Sequence, residues 1–220
     1  MNAPRFLIVA LATYAAVTAA DAREAADWKP LFDGKSLAGW AQSGFEAEGG
    51  VKVVPAFRDG RAAIVIEAGT TLSGFTWTRG AELPRTNYEI TLEAMKLQGA
   101  DFFCGLTFPV GKSACTFVVG GWGGMVTGIS SVDHSDAADN ETSGSREFAD
   151  NRWYRIRVRV TDEKIEAWID SDQMVDLEIK NRRLALRPGD IQKSLPLGIA
   201  TYMTRAAVRE IKLRTLSAKN

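Results

Sequence analysis

The stretch Asp133-His134-Ser135-Asp136-Ala137-Ala138-Asp139-Asn140-Glu141-Thr142, with Arg146 just beyond it, is the part of the chain densest in proton-transferring and charge-bearing groups. Imidazole and carboxylate side chains take or give a proton near neutral pH, and a guanidinium steadies negative charge as it develops. His134 or Glu141 is therefore the candidate general base, Asp133 the group that orients or protonates, and Arg146 the electrostatic partner. Gly120-Gly121-Trp122-Gly123-Gly124 precedes them, and glycines let a sugar or a backbone approach the Trp122 ring closely. The competing expectation is that residues 130–147 form a solvated polar loop and that Trp122 plugs a strand bend. Calcium is a smaller alternative, since it takes oxygen ligands at short spacing, but the EF-hand pattern is absent. No cofactor is demanded, and a divalent metal is compatible with the chain without being required.

Charge narrows the partners. Lys plus Arg number 27 and Asp plus Glu 27, so nothing favours nucleic acid or an anionic membrane surface, which call for a basic excess. A neutral ligand such as an oligosaccharide or glycoside is permitted. Residues 1–22 read as an export signal: Arg5, an apolar run over residues 6–17, then Ala20-Asp21-Ala22 as a cleavage pattern. The run is short of the roughly 20 apolar residues of a membrane span, and no Cys follows it to carry a lipid anchor. The expectation is a periplasmic or secreted protein with one domain over residues 23–220.

Cys104 and Cys115 are the only cysteines, and an even, close pair in an oxidising compartment suggests a disulfide. They flank Pro109-Val110-Gly111-Lys112, a turn signal, so adjacent antiparallel strands and a cross-strand bridge are expected, with two buried free thiols as the alternative. A zinc site is not expected, because two cysteines and the lone His134 give too few soft ligands at useful spacing.

These residues must be positioned by strands. The hydrophobic period is two almost everywhere: residues 62–67, 72–78, 88–97, 102–108, 114–119, 125–129, 153–160, 164–170, 174–179, 197–202 and 208–216 all read as strands. Turn residues such as Asp59-Gly60, Arg79-Gly80 and Pro188-Gly189 separate them. Many short strands at this spacing predict an all-β antiparallel sandwich or jelly roll. One hairpin is legible in register. A two-residue turn at Asp162-Glu163 pairs Arg159 with Glu166, Arg157 with Trp168 and Arg155 with Asp170, leaving Tyr154, Ile156, Val158 and Val160 on the other face. Each pair contributes about 0.2–1 kcal/mol, and the middle one is a candidate cation–π contact. Glu166 and Asp170 are then structural carboxylates, while Trp168 keeps a ligand-facing role only if this face is the concave one.

Leu31-Phe32-Asp33-Gly34-Lys35-Ser36-Leu37-Ala38-Gly39-Trp40 resembles the opening of the 3-keto-disaccharide hydrolase domain family. Gly74-Phe75-Thr76-Trp77-Thr78 with Tyr88-Glu89-Ile90-Thr91-Leu92-Glu93 is similar to that family's next stretch. Asn151-Arg152-Trp153-Tyr154-Arg155-Ile156, Ile165-Glu166-Ala167-Trp168-Ile169-Asp170 and Val208-Arg209-Glu210-Ile211-Lys212-Leu213 follow in the family's order. The resemblance implies a concanavalin- or laminin-G-like jelly roll. It also implies a chemistry: a ketone at sugar C3 acidifies the C2 hydrogen, a base removes it, and the C1 substituent leaves by elimination before hydration. Such a reaction needs a base, a proton donor and an oxyanion stabiliser. Where relatives carry a strand bearing Glu, Gln and Asp, this chain has Cys115-Thr116-Phe117-Val118-Val119-Gly120-Gly121, without a carboxylate.

Three functional classes follow. The first is an enzyme, a 3-keto-glycoside lyase or hydrolase using Glu141, His134, Asp133 and Arg146. The second is a carbohydrate-binding module presenting Trp77, Trp122 and Trp168. The third is a structural sandwich, since fold alone implies no activity. A pocket holding titratable groups separates the first from the other two.

Overall fold

Strand alternation builds this molecule, and apolar residues every second position give each strand one face to bury. The computed structural model describes residues 27–217, and the expected leader at residues 1–22 lies outside the described residues. The strands are β1 (Lys29–Pro30), β2 (Trp40–Gln42), β3 (Val51–Phe57), β4 (Arg61–Ile66), β5 (Leu72–Trp77), β6 (Tyr88–Gln98), β7 (Cys104–Val110) and β8 (Ser113–Gly121). They continue as β9 (Val126–Ser130), β10 (Gly144–Ser145), β11 (Trp153–Val160), β12 (Lys164–Ile169), β13 (Asp172–Glu178), β14 (Gly198–Tyr202) and β15 (Arg205–Thr215).

Among the described residues they form two antiparallel sheets. The first runs β13-β12-β11-β6-β15-β4-β3, with β1 also paired to β15; the second runs β10-β9-β8-β7-β14-β5-β2. The late strands β14 and β15 insert between early ones in both sheets, which is the jelly-roll interleaving. Between the sheets lies one large core, including Ile90, Leu92, Tyr154, Ile156, Val158 and Val208 from the first sheet and Phe75, Leu106, Phe108, Phe117 and Ile199 from the second.

The β11–β12 hairpin adopts the expected register, with Arg159 opposite Glu166 and Arg157 opposite Trp168. The Arg157 guanidinium lies 3.9 Å from the Trp168 ring centre. Asp170 stands just past the strand end, where its carboxylate accepts from the Arg155 backbone N–H at 3.0 Å. Strand β3 is not legible as alternation, because Val51-Lys52-Val53-Val54-Pro55-Ala56-Phe57 is interrupted by Pro55. It sits at the sheet edge with a bulge between Val54 and Phe57, where proline's missing N–H costs no ladder bond.

The family-like opening at residues 31–40 is a fastening. The Asp33 carboxylate accepts from the backbone N–H groups of Lys35 and Ser36, both at 2.8 Å, which holds its pKa below the usual carboxylate value. Trp40 donates its indole N–H to the Leu31 carbonyl at 2.7 Å. Gly39 has φ +82°, and a Cβ there would come within 2.7 Å of the Trp77 ring, so this position admits only glycine.

The expected disulfide is corrected. Cys104 and Cys115 are free and fully buried. The β7–β8 turn falls at Gly111-Lys112, which puts Cys104 opposite Val119 and Cys115 opposite Phe108. Four residues of stagger at about 3.3 Å each separate them by roughly 13 Å, beyond the ~7 Å between Cα atoms that a bridge tolerates. Burial pushes both thiols up to about 12, so neither is a thiolate near pH 8. Native protein is expected to resist iodoacetamide, and unfolding without reductant should expose two alkylatable thiols. A mass lower by two hydrogens before reduction would contradict the register.

Candidate functional site

The outer face of the second sheet carries a pocket. On β8 the residues Cys115, Phe117 and Val119 enter the core, so Thr116 and Val118 face outward by alternation. Thr116, Val118, Leu72 from β5, Tyr202 from β14 and Ser130 from β9 line a cavity of about 380 Å³, within the usual range for a small-molecule site. One wall is Asp101, Phe102 and Trp122; the opposite one is Arg187, Pro188, Asp190 and Ile191 from the β13–β14 connection.

Three aromatic residues shape this pocket. Phe102 and Tyr202 stack with ring centres 6.0 Å apart and planes 29° apart. Trp122 is 43% exposed, a large apolar surface left open to solvent. It sits in the β8–β9 turn with φ +47°, followed by Gly123 at +86° and Gly124 at +101°. A side chain at Gly123 is strained by that φ, so the glycine supplies the turn that presents the indole. Asp101 fixes the same turn: its carboxylate accepts from the Phe102 N–H at 2.7 Å and the Gly123 N–H at 3.3 Å. Opposite the aromatics, the Arg187 guanidinium pairs with Asp136 at 3.4 Å, and Asp136 accepts from the Ser130 hydroxyl at 3.2 Å. Asp190 pairs with Lys193 at 3.4 Å. The arrangement offers flat apolar faces, one cation and two carboxylates, Asp101 and Asp190, the features that hold an uncharged ring and steady an oxyanion on it.

The predicted residues divide. Trp122 lines the pocket. Trp77 is corrected: it is 2% exposed, packs edge-on to Trp40 at 4.9 Å and donates to the Arg79 carbonyl, so no ligand reaches it. Trp168 lies outside this pocket, on the other sheet, with Arg157 and Arg159 over its ring. Asp133 and Glu141 converge on Arg182, and Asp133 also accepts from the Arg183 N–H at 2.8 Å. His134 is exposed, with no hydrogen-bond or ion-pair partner among the described residues. Arg146 is drawn to Asp170 at 2.9 Å and Asp172 at 3.0 Å, away from the carboxylates of its own loop. None of these four lines the pocket.

Asn140 organises that loop from inside, donating to the carbonyls of Ile129, Ser135 and Asp136. Asp133, Asp136 and Glu141 of this loop are paired with arginines, and among the described residues no three His, Cys, Asp or Glu groups converge to hold a metal ion. The calcium reading does not fit this donor arrangement. Sequence reasoning passed over Arg187, Asp190, Phe102 and Tyr202, which lie far apart in the chain. Only the Pro188-Gly189 turn signal hinted that this connection folds back.

The family profile described as the 3-keto-alpha-glucoside-1,2-lyase-like domain matches residues 27–214. No protein of curated function matches the chain in sequence. Among solved structures, a putative glycosyl hydrolase from Parabacteroides distasonis is similar at TM-score 0.53 and 12% identity, over 91% of this chain and 99% of that one. A carbohydrate-binding module from Bacillus subtilis is similar at TM-score 0.51 and 9% identity, over 80% and 96%. Domain 4 of an extracellular arabinanase from Geobacillus stearothermophilus, solved with arabinotriose, gives 0.50 and 11% over 80% and 82%. At these identities the likeness is one of fold.

Proposed function

This chain belongs to the 3-keto-alpha-glucoside-1,2-lyase-like domain family, and from that premise we propose that it takes a glycoside into the pocket over its second sheet and eliminates the C1 substituent of a 3-keto sugar. The observation that carries this reading is the union, in one cavity, of the exposed Trp122 with Arg187 and Asp190. Trp122 receives the C–H face of the ring, and the Phe102–Tyr202 stack bounds its far side. The ketone oxygen faces Arg187, whose charge Asp136 holds in place. Asp190 takes the C2 proton as the electron pair moves into the enolate, the C1–O bond breaks, and the departing oxygen takes that proton from the Asp190 carboxyl. Water then adds across the new double bond to complete hydrolysis. The proposed setting is the periplasm or the cell exterior, which rests on the leader-like residues 1–22.

A second reading, a non-catalytic carbohydrate-binding module, is favoured by Thr116 and Val118, which put no carboxylate on the strands beneath the pocket. Incubation with 3-keto-sucrose, 3-keto-trehalose and 3-keto-glucosides separates the two. Release of free sugar or aglycone, lost by roughly 100-fold or more in Asp190→Asn and kept in Glu141→Gln and His134→Ala, is the expected result. Loss in Glu141→Gln instead would move the base to the Arg182-bound cluster. Quenching of tryptophan fluorescence without turnover would select the binding module, and Trp122→Ala should then weaken the affinity about 5–10-fold.

A further inference from the structure

The outer face of the first sheet carries a second, polar hollow of about 610 Å³, between β11, β6 and β15. Strand register arranges the outer face of this sheet in three parallel rows. Arg155, Glu93 and Arg209 form one; Arg159, Glu89 and Arg214 form another; the row between them is Arg157, Thr91 and Lys212. In the outer rows a carboxylate on β6 lies between two cations: Glu89 binds both of its neighbours, accepting from Arg159 at 2.7 Å and Arg214 at 2.6 Å, whereas Glu93 accepts from Arg209 at 2.6 Å. In the middle row that place is held by neutral Thr91, whose hydroxyl donates to the Ile156 carbonyl at 3.1 Å.

Two cations thus face each other across a residue that cannot neutralise them. Arg157 reaches Glu89 only at 3.5 Å and otherwise stacks on Trp168, which leaves several of its five donors unsatisfied. The Arg155 guanidinium, on the same wall, has no hydrogen-bond or ion-pair partner among the described residues. Asp170 is engaged outside the row, binding Arg146 and Arg152, both at 2.9 Å, while Glu210 is shared between Arg61 and Lys212, the latter at 2.6 Å. The wall keeps a positive excess although the chain as a whole carries none.

We propose that the Arg157–Thr91–Lys212 row is a binding site for the anionic group of a small ligand, and that a sugar acid of the uronate class fits it. The ligand's carboxylate takes the place that Glu89 and Glu93 hold in the neighbouring rows, in a charge-assisted contact with Arg157 and Lys212. The hollow is far larger than a bare oxyanion needs and accommodates a monosaccharide ring beside the charged group. This site is on the opposite sheet from the pocket assigned above and stands independently of it.

Calorimetry at low ionic strength with sodium glucuronate, glucose and inorganic sulfate tests the assignment. Glucuronate should bind at least tenfold more tightly than glucose, with affinity falling as salt is added, and Trp122→Ala should leave the signal unchanged. Thr91→Glu supplies the missing carboxylate from within the chain, so it should abolish glucuronate binding while thermal stability is kept or raised. Lys212→Met should weaken binding in the same direction and serves as the second variant if Thr91→Glu folds poorly. Sulfate binding as tightly as glucuronate would uphold the anion site and make the oxyanion the whole ligand. Equal affinity for glucose and glucuronate, or glucuronate binding untouched by both variants, would overturn the proposal.

Discussion

Glu89→Ala is expected to lower the stability of the folded chain by about 3–5 kcal/mol, the usual cost of removing one partner from a buried ionic network. The Glu89 side chain is fully buried, on a strand in the middle of the first sheet. Both of its oxygens are occupied, one by Arg159 and Arg157 and the other by Arg214. Truncation leaves three guanidinium groups crowded at one spot, with their mutual repulsion no longer offset by Glu89. For a domain of this size the corresponding fall in melting temperature is roughly 10–15 °C. Glu89→Gln keeps the shape and one acceptor, so its loss should be smaller. Thermal denaturation of both variants measures the difference. A shift under about 2 °C for Glu89→Ala would mean that water reaches these arginines and that the network contributes little.

Arg187→Ala is expected to lower turnover of a 3-keto-glycoside by about 100- to 1,000-fold, the range observed when one oxyanion donor is removed. Under the proposed mechanism Arg187 supplies the only guanidinium lining the pocket among the described residues, so the variant's enolate would develop with no fixed cation beside it. Asp136→Asn should give a smaller loss, because it frees Arg187 from its 3.4 Å ion pair without removing the charge. The two losses should appear in kcat rather than KM, since the interaction strengthens only as charge develops. Equal turnover in wild type and Arg187→Ala would remove Arg187 from the chemistry. Binding retained in both, with turnover in neither, would favour the non-catalytic reading.

How much was legible can be judged residue by residue. The register of β11 and β12 could be read because one apolar face and one charged face specify it twice: Ile156 and Val158 must enter the core, and Arg157 and Arg159 must then meet Trp168 and Glu166. The Cys104–Cys115 pairing failed because the turn signal at residues 109–112 contains several turns that differ by one or two residues. Strand pairing set the turn at Gly111-Lys112, and that alone staggered the thiols. Trp77 and Trp122 look alike in sequence, each an aromatic beside small or polar residues. Alternation buries Trp77 on β5, whereas the left-handed turn at Trp122 and Gly123 lifts the other indole into solvent.

The acidic loop gives the clearest division. Its composition named a cluster of acid, base and cation, but clustering along the chain is not clustering in space. Arg182 and Arg187, both from a distant connection, decide where Asp133, Glu141 and Asp136 are held, and Arg146 is drawn to Asp170 on the other sheet. The sequence by itself determined the all-β class, most strand positions, one hairpin in register and the family. Each of these depends on short-range alternation or on a local motif. Only the tertiary structure decided which face carries the pocket, which arginine meets which carboxylate and which tryptophan is free to touch a ligand. Those outcomes depend on strands β5, β8 and β14 meeting across long separations in the chain, and no local pattern encodes such meetings.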